Sequence, residues 1–304
     1  MPTKRRPGDE NPSKVQPLSV REFFKRFPDD AACLEHIMSV RYGLRHPCDK
    51  CLTVATFHRL AERRAYSCAA CGHHVYPCAG TIFEDSRTPL QVWFYAIYLF
   101  IATRHGVSGK ELQRTLGVTY KTAWRIGQKV RELMAKAEGF EMLKGHVEVD
   151  EAYVGGRRPG RPGRGAAGKT VVVGMKERDG KVRAQTVPDA SKKSLRGVVT
   201  ENVEPGSIVS TDEWASYGLL KGDGYEHGVV RHGVKEYMRI DWRLKVAHHT
   251  NGVESFWNLF KNSVRSTHIH VSPQHMDKYL SEFAFRSNHR EMRNAMFDLL
   301  IGAV

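Results

Sequence analysis

The 304-residue sequence predicts a multidomain α+β protein, in which a small cysteine-rich ribbon and a helical segment precede a domain of strands and helices. Three observations carry this prediction. Two Cys-x-x-Cys pairs lie sixteen residues apart in the first quarter of the chain. A glycine turn then separates two amphipathic helical patterns, and alternating strand patterns that contain acidic residues follow from residue 146.

Charge and hydrophobicity limit the class of protein. Lysine and arginine total 47 against 33 aspartate and glutamate residues, which gives a formal net charge of +14. Such an excess attracts a polyanion, most commonly nucleic acid, although a protein can be basic without such a partner. The richest apolar run, VWFYAIYLFIA at residues 92–102, is about half the roughly 20 residues of a membrane span. We therefore expect a soluble protein with no membrane partner.

The first 17 residues, MPTKRRPGDENPSKVQP, are charged and rich in proline. They lack the apolar core of a signal peptide, so they are predicted to form a disordered basic tail. Without an export signal the chain is expected in the cytoplasm, where its six cysteines would be reduced unless a metal ion holds them.

The paired cysteines have the spacing of a tetrahedral metal site, within a predicted N-terminal helix and ribbon over residues 18–86. Two alternating runs, TVATFHRL and AYSC, flank the polar turn AERR between the pairs. This pattern predicts one structural Zn²⁺, because four thiolates leave no open position for a catalytic water. The predicted ligands are Cys48, Cys51, Cys68 and Cys71. The alternative is a set of reduced thiols in a core, which is the role expected of Cys33 and Cys78.

The helical segment is expected over residues 87–140, beginning with the largely apolar TPLQVWFYAIYLFIATRHG. Ser108 can cap a short helix through Leu116, and Thr119 can cap a second helix after the turn at Gly117. A short helix, a glycine turn and a helix with basic residues are typical of a DNA-binding helix-turn-helix, although a plain helical hairpin has the same pattern. The residues expected to contact DNA are Tyr120, Lys121 and Arg125.

A strand pattern marks the predicted third domain, residues 141–304. HVEVDEAYVGG alternates polar and apolar positions, KTVVVGMKERDGKVRAQTV predicts two strands around an Asp-Gly turn, and SIVSTDEWASYG begins with a short apolar strand. Between the first two strands, GGRRPGRPGRGAAGK predicts an exposed basic loop over residues 155–169 that suits a DNA backbone. Its arginines are Arg157, Arg158, Arg161 and Arg164.

Three acids lie at the ends of these predicted elements. Asp150 is near the end of one strand, Asp212 ends another 62 residues later, and Glu254 begins a helix after a further 42 residues. Carboxylates from two strands and a helix can converge on a pair of Mg²⁺ (or Mn²⁺) ions, which prefer oxygen ligands and support in-line phosphoryl transfer. The alternative is that they are ordinary capping and helix-dipole residues.

Ordered motifs connect these acids to a known family. VEVDEAYVGG, STDEWASY, NGVESFWNLFK and HVSPQHMDKYLSEFAFRSNHR resemble the prokaryotic insertion-sequence DDE transposases of the zinc-ribbon type, the ISXO-like branch. GTIFEDSRTPLQVWFYAIYLF, which follows the ribbon, is similar to the same family. The resemblance covers nearly the whole chain from about residue 18.

This resemblance implies a fold and a set of site residues. In that family the catalytic domain is RNase H-like, a mixed sheet flanked by helices, and its acids bind Mg²⁺. The first two acids match Asp150 and Asp212, and the third position, which varies among Glu, Asn and His in the family, is Glu254 here. The lysine after it matches Lys261. Of the neighbouring acids, Glu148 shares a strand face with Asp150 and stays a candidate accessory.

Together these inferences predict a DNA transposase. Its ribbon and helix-turn-helix would bind the terminal inverted repeats of its element, and its acids would hold the ions for strand cleavage and strand transfer. Lys261 would lie over a phosphate or a DNA end. The partner would be double-stranded DNA, at the element ends and the target, bound by a homodimer or higher oligomer in the nucleoid. Two rivals remain, a DNA-binding regulator with an inactive nuclease-like domain and a structure-specific nuclease.

Overall fold

The computed structural model describes residues 18–155, 168–213, 217–218, 220–292 and 295–304. The predicted tail at residues 1–17 and the four arginines of the predicted basic loop lie outside the described residues. The helices are α1 (Val20–Arg26), α2 (Asp30–Arg41), α3 (Leu90–Ala102), α4 (Gly109–Leu116), α5 (Tyr120–Glu138), α6 (Lys192–Asn202), α7 (Asn251–Ser263), α8 (Met276–Asn288) and α9 (Ala295–Gly302). The strands are β1 (Arg45–Pro47), β2 (Val54–Arg59), β3 (Tyr66–Cys68), β4 (His74–Val75), β5 (His146–Val154), β6 (Thr170–Glu177), β7 (Val182–Val187), β8 (Ile208–Asp212), β9 (Glu226–Val230), β10 (Arg239–Asp241) and β11 (Val246–His248).

The described chain divides into two compact units. The first consists of the described residues up to 104, with 109–137 and 289–304, and the second of 105–108 and 138–288. The sequence predicted a third domain that runs to residue 304, whereas the structure groups α9 with the first unit. The physical reason is aromatic packing, because the Phe297 ring lies 5.3 Å from Phe27 and 5.7 Å from Phe94, between ring centroids.

The first unit contains the ribbon and the helical segment. β1 to β4 form an antiparallel meander in chain order, as the alternating runs on both sides of the polar turn predicted. α4 and α5 flank Gly117, which has a φ of +65° that glycine adopts without steric cost. Leu112, Ala123 and Ile126 are fully buried, so the two helices pack through their predicted apolar faces. α5, the second helix, continues to Glu138.

The second unit is built on a five-stranded mixed sheet in the order β7-β6-β5-β8-β9. The hairpin pairs around β6 are antiparallel, whereas β5, β8 and β9 run parallel. The chain passes from β7, at one edge of the sheet, to β8, next to β5, through α6. This α+β arrangement is consistent with the RNase H-like fold. None of the helices that the structure describes combines the length and apolar character needed to cross a membrane.

The two faces of the sheet have separate cores. Val147 and Val149 of β5 pack in a cluster with Leu195 and Val199 of α6. Ala152 and Val154 pack instead with residues of α7 and α8, such as Trp257 and Phe283. Successive side chains of a strand point to opposite faces, so the even positions of β5 face α7. This alternation decides which acids of β5 can share a site with α7.

Candidate active site and metal centres

The ribbon brings its four cysteines into one cluster. The sulfurs of Cys48, Cys51, Cys68 and Cys71 all lie within 4.8 Å of one another. Cys48 Sγ and Cys71 Sγ are 3.7 Å apart, which is close to the roughly 3.8 Å edge of a tetrahedron with metal–sulfur bonds of about 2.3 Å. A disulfide bond would require about 2.05 Å. The donor set and the spacing therefore fit one Zn²⁺ held by four thiolates.

The backbone at the knuckles explains how so small an element positions these sulfurs. The amide of Leu52 donates to the carbonyl of Cys48 at 2.8 Å, and the amide of Gly72 donates to Cys68 in the same way at 2.9 Å. Both Leu52 and Gly72 have left-handed φ values, +58° and +72°. Each turn thus reverses the chain directly after its second cysteine. The second turn has a glycine at this position, whereas the first has a leucine.

The remaining cysteines are buried, as predicted. Cys33 is fully inaccessible on α2, and Cys78 is 8% exposed. Burial raises the pKa of the Cys33 thiol to about 12 and also raises the pKa of Cys78, so both favour the neutral thiol. Neither sulfur belongs to the four-cysteine cluster.

The second candidate centre lies where β5 and β8 run in parallel. The ladder pairs Glu148 with Ser210, and continuing that register by two residues places Asp150 opposite Asp212. The carboxylate oxygens of Asp150, Glu151 and Asp212 all lie within 4.8 Å of one another. Carboxylate oxygens are the hard donors that Mg²⁺ prefers, so this donor set fits a divalent cation.

Glu151 reaches this cluster from the other face of the sheet. It is 7% exposed, and its Oε2 accepts a hydrogen bond from the Tyr217 hydroxyl at 3.0 Å. Tyr217 belongs to the α6-side core, and burial together with the charge of Glu151 raises the pKa of its hydroxyl well above the usual value. Alternation along β5 had set Glu151 apart from Asp150. The sequence carries no signal of the tyrosine that holds it beside the two aspartates.

A glycine on β6 allows α7 to approach the sheet at the same place. Gly174 pairs with Asp150 across the ladder. A Cβ atom at Gly174 would lie only 2.6 Å from the Trp257 ring and 2.9 Å from a Val253 methyl group. Only the absence of a side chain lets the helix pack this closely, and Glu254 lies on the helical turn between these two residues.

Glu148 anchors the first turn of α7. Its Oε2 accepts hydrogen bonds from the backbone amides of Gly252 at 2.7 Å and Val253 at 3.1 Å. Its Oε1 lies 3.0 Å from His249 Nδ1 and 3.4 Å from a guanidinium nitrogen of Arg178. A carboxylate at a helix N-terminus satisfies free amides and stabilises the helix dipole. Glu148 thus holds the start of the helix that carries Glu254.

Glu254 is near the aspartates but outside the tight cluster. Its Oε1 accepts a hydrogen bond from the Thr250 hydroxyl at 2.7 Å and lies 3.8 Å from His232 Nε2. Its side chain is 42% exposed. The structure therefore brings Asp150 and Asp212 together as predicted, with Glu151 as the third close carboxylate and Glu254 turned toward Thr250.

The neighbouring acids raise the affinity of Asp150 for protons. Burial raises the pKa of Asp150 to about 7, and the charges of Glu151, Asp212 and Glu254 add to the effect, whereas Lys261 opposes it. Lys261 lies two helical turns after Glu254, and burial lowers the pKa of its ammonium group. A bound cation would relieve the repulsion among the carboxylates, and the lysine already relieves part of it.

Two adjoining cavities extend from this cluster along the sheet. One has a volume of about 410 Å³ and is lined by Glu151, Lys169, Lys261 and Arg265. The second, of about 510 Å³, shares Lys169 and Arg265 and adds His270. Acidic groups at one end and basic groups along the cavities form a surface that can hold a phosphodiester next to a metal ion.

The predicted DNA-contacting residues of the helical segment lie on the first turns of α5. Tyr120, Lys121 and Arg125 are exposed. The Arg125 guanidinium is also engaged within its own unit, 3.5 Å from the Thr88 hydroxyl and 5.8 Å from the centre of the Trp93 ring. Lys121 is thus the more direct probe of a contact with DNA.

Comparison with known proteins places both candidate centres in family domains. Residues 142–288 match the model of the ISXO2-like transposase domain, and residues 28–74 match that of the transposase zinc-ribbon domain. The first match contains Asp150, Asp212, Glu254 and Lys261, and the second contains the four clustered cysteines.

Two curated proteins are similar to this chain. One is an uncharacterized protein in the transposable element ISH50 of Halobacterium salinarum, 29% identical over 264 residues, covering 81% of this chain and 86% of the relative. The other is an uncharacterized transposase-like protein of Haemophilus influenzae, 27% identical over 114 residues, covering 38% of this chain and 86% of the relative. The chain belongs to the insertion-sequence transposases in which a transposase zinc ribbon precedes an ISXO2-like transposase domain.

Proposed function

We propose that this chain is the transposase of an insertion element, which binds the terminal inverted repeats and catalyses metal-dependent DNA cleavage and strand transfer. The observation that carries the proposal is the meeting of Asp150 and Asp212 at paired parallel strands, inside the region that matches the transposase domain. The net charge of +14 suits the binding of a polyanion such as DNA, and the acidic cluster can hold the cations that catalyse its cleavage.

In this proposal Asp150 and Asp212 hold two Mg²⁺ or Mn²⁺ ions. When bound, such ions activate the attacking hydroxyl and stabilise the leaving oxygen of an in-line displacement. The protein's own basic groups position the DNA, because Lys169, Lys261 and Arg265 line the cavity beside the acids. Lys261 is the group that we place over a phosphate or a DNA end, since it lies close enough to Asp150 to affect its pKa.

Glu254 is our proposed third acid, and Glu151 is the competing candidate. Asp150 lies on the face of β5 that packs against α7, and Glu254 is a residue of that helix, between Val253 and Trp257, which pack on the sheet. Glu151 points to the opposite face and is held by the buried Tyr217 hydroxyl. A rotation of the exposed Glu254 side chain away from Thr250 would bring it to the metal ions. Glu151 already lies within 4.8 Å of both aspartates, with one of its oxygens bonded to the Tyr217 hydroxyl.

The proposal is tested with DNA that carries the ends of the element flanking the gene. Wild-type protein should cleave at the ends and join the freed 3′ hydroxyl to target DNA, only when Mg²⁺ or Mn²⁺ is present. Asp150→Asn and Asp212→Asn should each abolish cleavage and keep DNA binding, because each removes a proposed metal ligand and neither removes a positive charge. Glu201→Gln, which removes one exposed acid of α6, serves as the matched control.

The two rival functions predict different results in the same assay. A DNA-binding regulator would bind the ends without cleaving them in any divalent metal. A structure-specific nuclease would cleave but would leave no joined product. Either outcome with folded wild-type protein would refute the transposase proposal.

Parallel variants decide between the two glutamates. Glu254→Gln should abolish cleavage with Mg²⁺ and recover part of it with Mn²⁺, while Glu151→Gln should keep cleavage, because its amide oxygen can still accept the hydrogen bond from Tyr217. The reverse pattern, with cleavage lost only in Glu151→Gln, would transfer the role of third acid to Glu151.

The first unit supplies DNA recognition in this proposal. We infer that α5 contacts the inverted repeats through Tyr120, Lys121 and Arg125. The arginines of the predicted basic loop would contact the DNA backbone. The described residues of one chain contain one cluster of candidate catalytic acids and an element has two ends, so we propose a homodimer or higher oligomer on DNA. The activity would take place in the cytoplasm, in the nucleoid.

A further inference from the structure

An exposed segment between β9 and β11 combines aromatic and basic side chains. It comprises residues 231–245, with the sequence RHGVKEYMRIDWRLK, and is called the aromatic arm below. Trp242 is 81% exposed and Tyr237 is 62% exposed. Val234, Met238 and Ile240 are also more than two-fifths exposed, so the arm presents an apolar surface to solvent.

The tip of the arm has a regular structure. β10 and β11 pair in antiparallel register, with Asp241 opposite Val246. Asp241 Oδ1 accepts hydrogen bonds from the amides of Arg243 at 2.9 Å and Leu244 at 3.0 Å. This aspartate turn encloses Trp242 and presents its ring at the tip of a hairpin. Because the turn fixes the backbone at this position, less conformational entropy is lost when a ligand stacks on the ring.

The charge around the arm suits a polyanion. The segment contains five basic residues and two acidic ones, and one of the basic residues, Arg243, forms an ion pair with Glu226 of β9. The basic residues are Arg231, Lys235, Arg239, Arg243 and Lys245. A second copy of the chain would be a poor partner for this surface, because two positively charged arms on chains of net charge +14 repel each other.

The arm begins and ends beside the carboxylates. Val230, the last residue before the arm, pairs with Asp212 in the parallel ladder. Within the arm, the amide of Gly233 donates to Glu213 at 3.0 Å, and His232 Nε2 lies 3.8 Å from Glu254. β11 then leads directly into α7. A strand of DNA that reaches the acids therefore passes next to the arm.

We propose that the aromatic arm binds unpaired DNA bases next to the site of cleavage, with Trp242 as the stacking platform and Tyr237 as a second contact. The inference rests on the proposed function, since it assumes that DNA occupies the acidic site. Stacking on an exposed ring requires a free base face, which a continuous duplex hides and a frayed or cleaved end offers. The basic side chains of the arm would hold the adjoining phosphates.

The test uses two labelled oligonucleotides of the same sequence, a blunt duplex and a duplex with a four-base single-stranded extension. Binding is measured by fluorescence anisotropy without added Mg²⁺ or Mn²⁺. Trp242→Ala should weaken binding to the extended DNA about tenfold and binding to the blunt duplex less than twofold, because stacking is a contact with unpaired bases only. Trp242→Phe should retain most of the preference, and the salt dependence should stay unchanged since no charge is lost.

Phe140→Ala is the matched control. Phe140 is also an aromatic residue, 70% exposed, and it lies against Arg183 of β7, at the opposite edge of the sheet from β9. Its loss should change neither affinity. Thermal unfolding should confirm that Trp242→Ala is folded, as expected for a side chain that is mostly in solvent.

The proposal is overturned if Trp242→Ala keeps the preference for extended DNA, or if the substitution weakens binding to both oligonucleotides equally. It is also overturned if the variant dissociates an oligomer in light scattering, since the arm would then be a subunit contact. These results are independent of catalysis. Wild-type protein that fails to cleave but shows the Trp242-dependent preference would refute the proposed transposase activity and leave the arm as a DNA-binding element.

Discussion

Asp150 and Asp212 occupy opposite positions on two neighbouring parallel strands, two residues beyond the paired Glu148 and Ser210. Their carboxylates, with that of Glu151, lie within 4.8 Å of one another. Like charges at this distance destabilise the fold unless protons or cations neutralise them. A divalent metal ion would therefore relieve the repulsion among the carboxylates and stabilise the protein. This stabilisation can be measured without any DNA.

Removing one of these charges should stabilise the metal-free protein. Asp150→Asn is expected to raise the melting temperature of the catalytic unit by about 2–4 °C, as about 1 kcal/mol does for a domain of this size. Mg²⁺ or Mn²⁺ should raise the melting temperature of the wild-type protein and leave that of the variant almost unchanged. Differential scanning calorimetry with and without metal measures both effects.

The control for this experiment is Glu201→Gln, which removes an exposed acid of α6 and should leave the metal response intact. If Mg²⁺ stabilised the wild-type protein and Asp150→Asn to the same extent, the aspartate would not be a metal ligand. If metal-free Asp150→Asn were less stable than the metal-free wild type, repulsion among the carboxylates would not be what destabilises this site.

Glu148 should act as a positioning residue through α7. Glu148→Ala leaves the amides of Gly252 and Val253 without their acceptor and Arg178 without its carboxylate, so we expect a loss of roughly 3 kcal/mol in the free energy of unfolding. Glu148→Gln keeps an acceptor oxygen and should recover part of that loss. Urea denaturation gives the free energies, and a Mn²⁺ titration should show weaker metal binding in both variants.

A purely structural role for Glu148 would give a different pattern. Metal affinity of the folded Glu148→Gln variant would then equal that of the wild type, and only the free energy of unfolding would change. That result would separate the anchoring of α7 from the geometry of the acidic site.

The ribbon should contain one zinc ion per chain. Cys68→Ser is expected to abolish zinc binding and unfold the ribbon, because metal binding supplies the folding free energy of so small an element. Atomic absorption of purified protein measures the metal content. Cys78→Ala, at a buried cysteine outside the cluster, should retain the zinc. Wild-type protein that is folded and free of zinc would refute the assignment.

DNA recognition by α5 should depend on Lys121. Lys121→Ala is expected to weaken binding to inverted-repeat DNA about tenfold and to lower the preference over random DNA, if the lysine reads a base edge. Competition binding at two salt concentrations provides both quantities. An equal loss on both DNAs, with a salt slope reduced by about one, would mean that Lys121 contacts only phosphate.

Arg125→Ala needs a separate stability control. Because its guanidinium contacts Thr88 and Trp93 within the first unit, the substitution should also lower the melting temperature. A loss of DNA binding in Lys121→Ala, which is exposed, therefore carries more weight than the same loss in Arg125→Ala.

Local patterns in the sequence were sufficient for the ribbon and for most elements of both units. The cysteine spacing predicted the cluster that the structure shows, because knuckle turns are local and need only a few residues. The strand that ends at Asp212 and the hairpin that turns at Asp179 were also predicted, since alternation and an Asp-Gly turn act over short distances. The place of α9 in the first unit was not predicted, because its aromatic partners are more than two hundred residues away.

The acidic site likewise has some features that the sequence determines and others that depend on the tertiary structure. The sequence by itself determined that Asp212 ends its strand and that Glu254 lies in the first turn of a helix, because hydrophobic periodicity marks those boundaries. The prediction that Asp150 lies near the end of its strand was wrong, since β5 continues to Val154 and places Asp150 at its middle. Only the tertiary structure decided that the two strands are parallel neighbours, that Gly174 admits Trp257, and that Tyr217 holds Glu151 at the cluster. These contacts join residues far apart in the chain, and the free energy that selects them comes from packing of the whole sheet rather than from any local pattern.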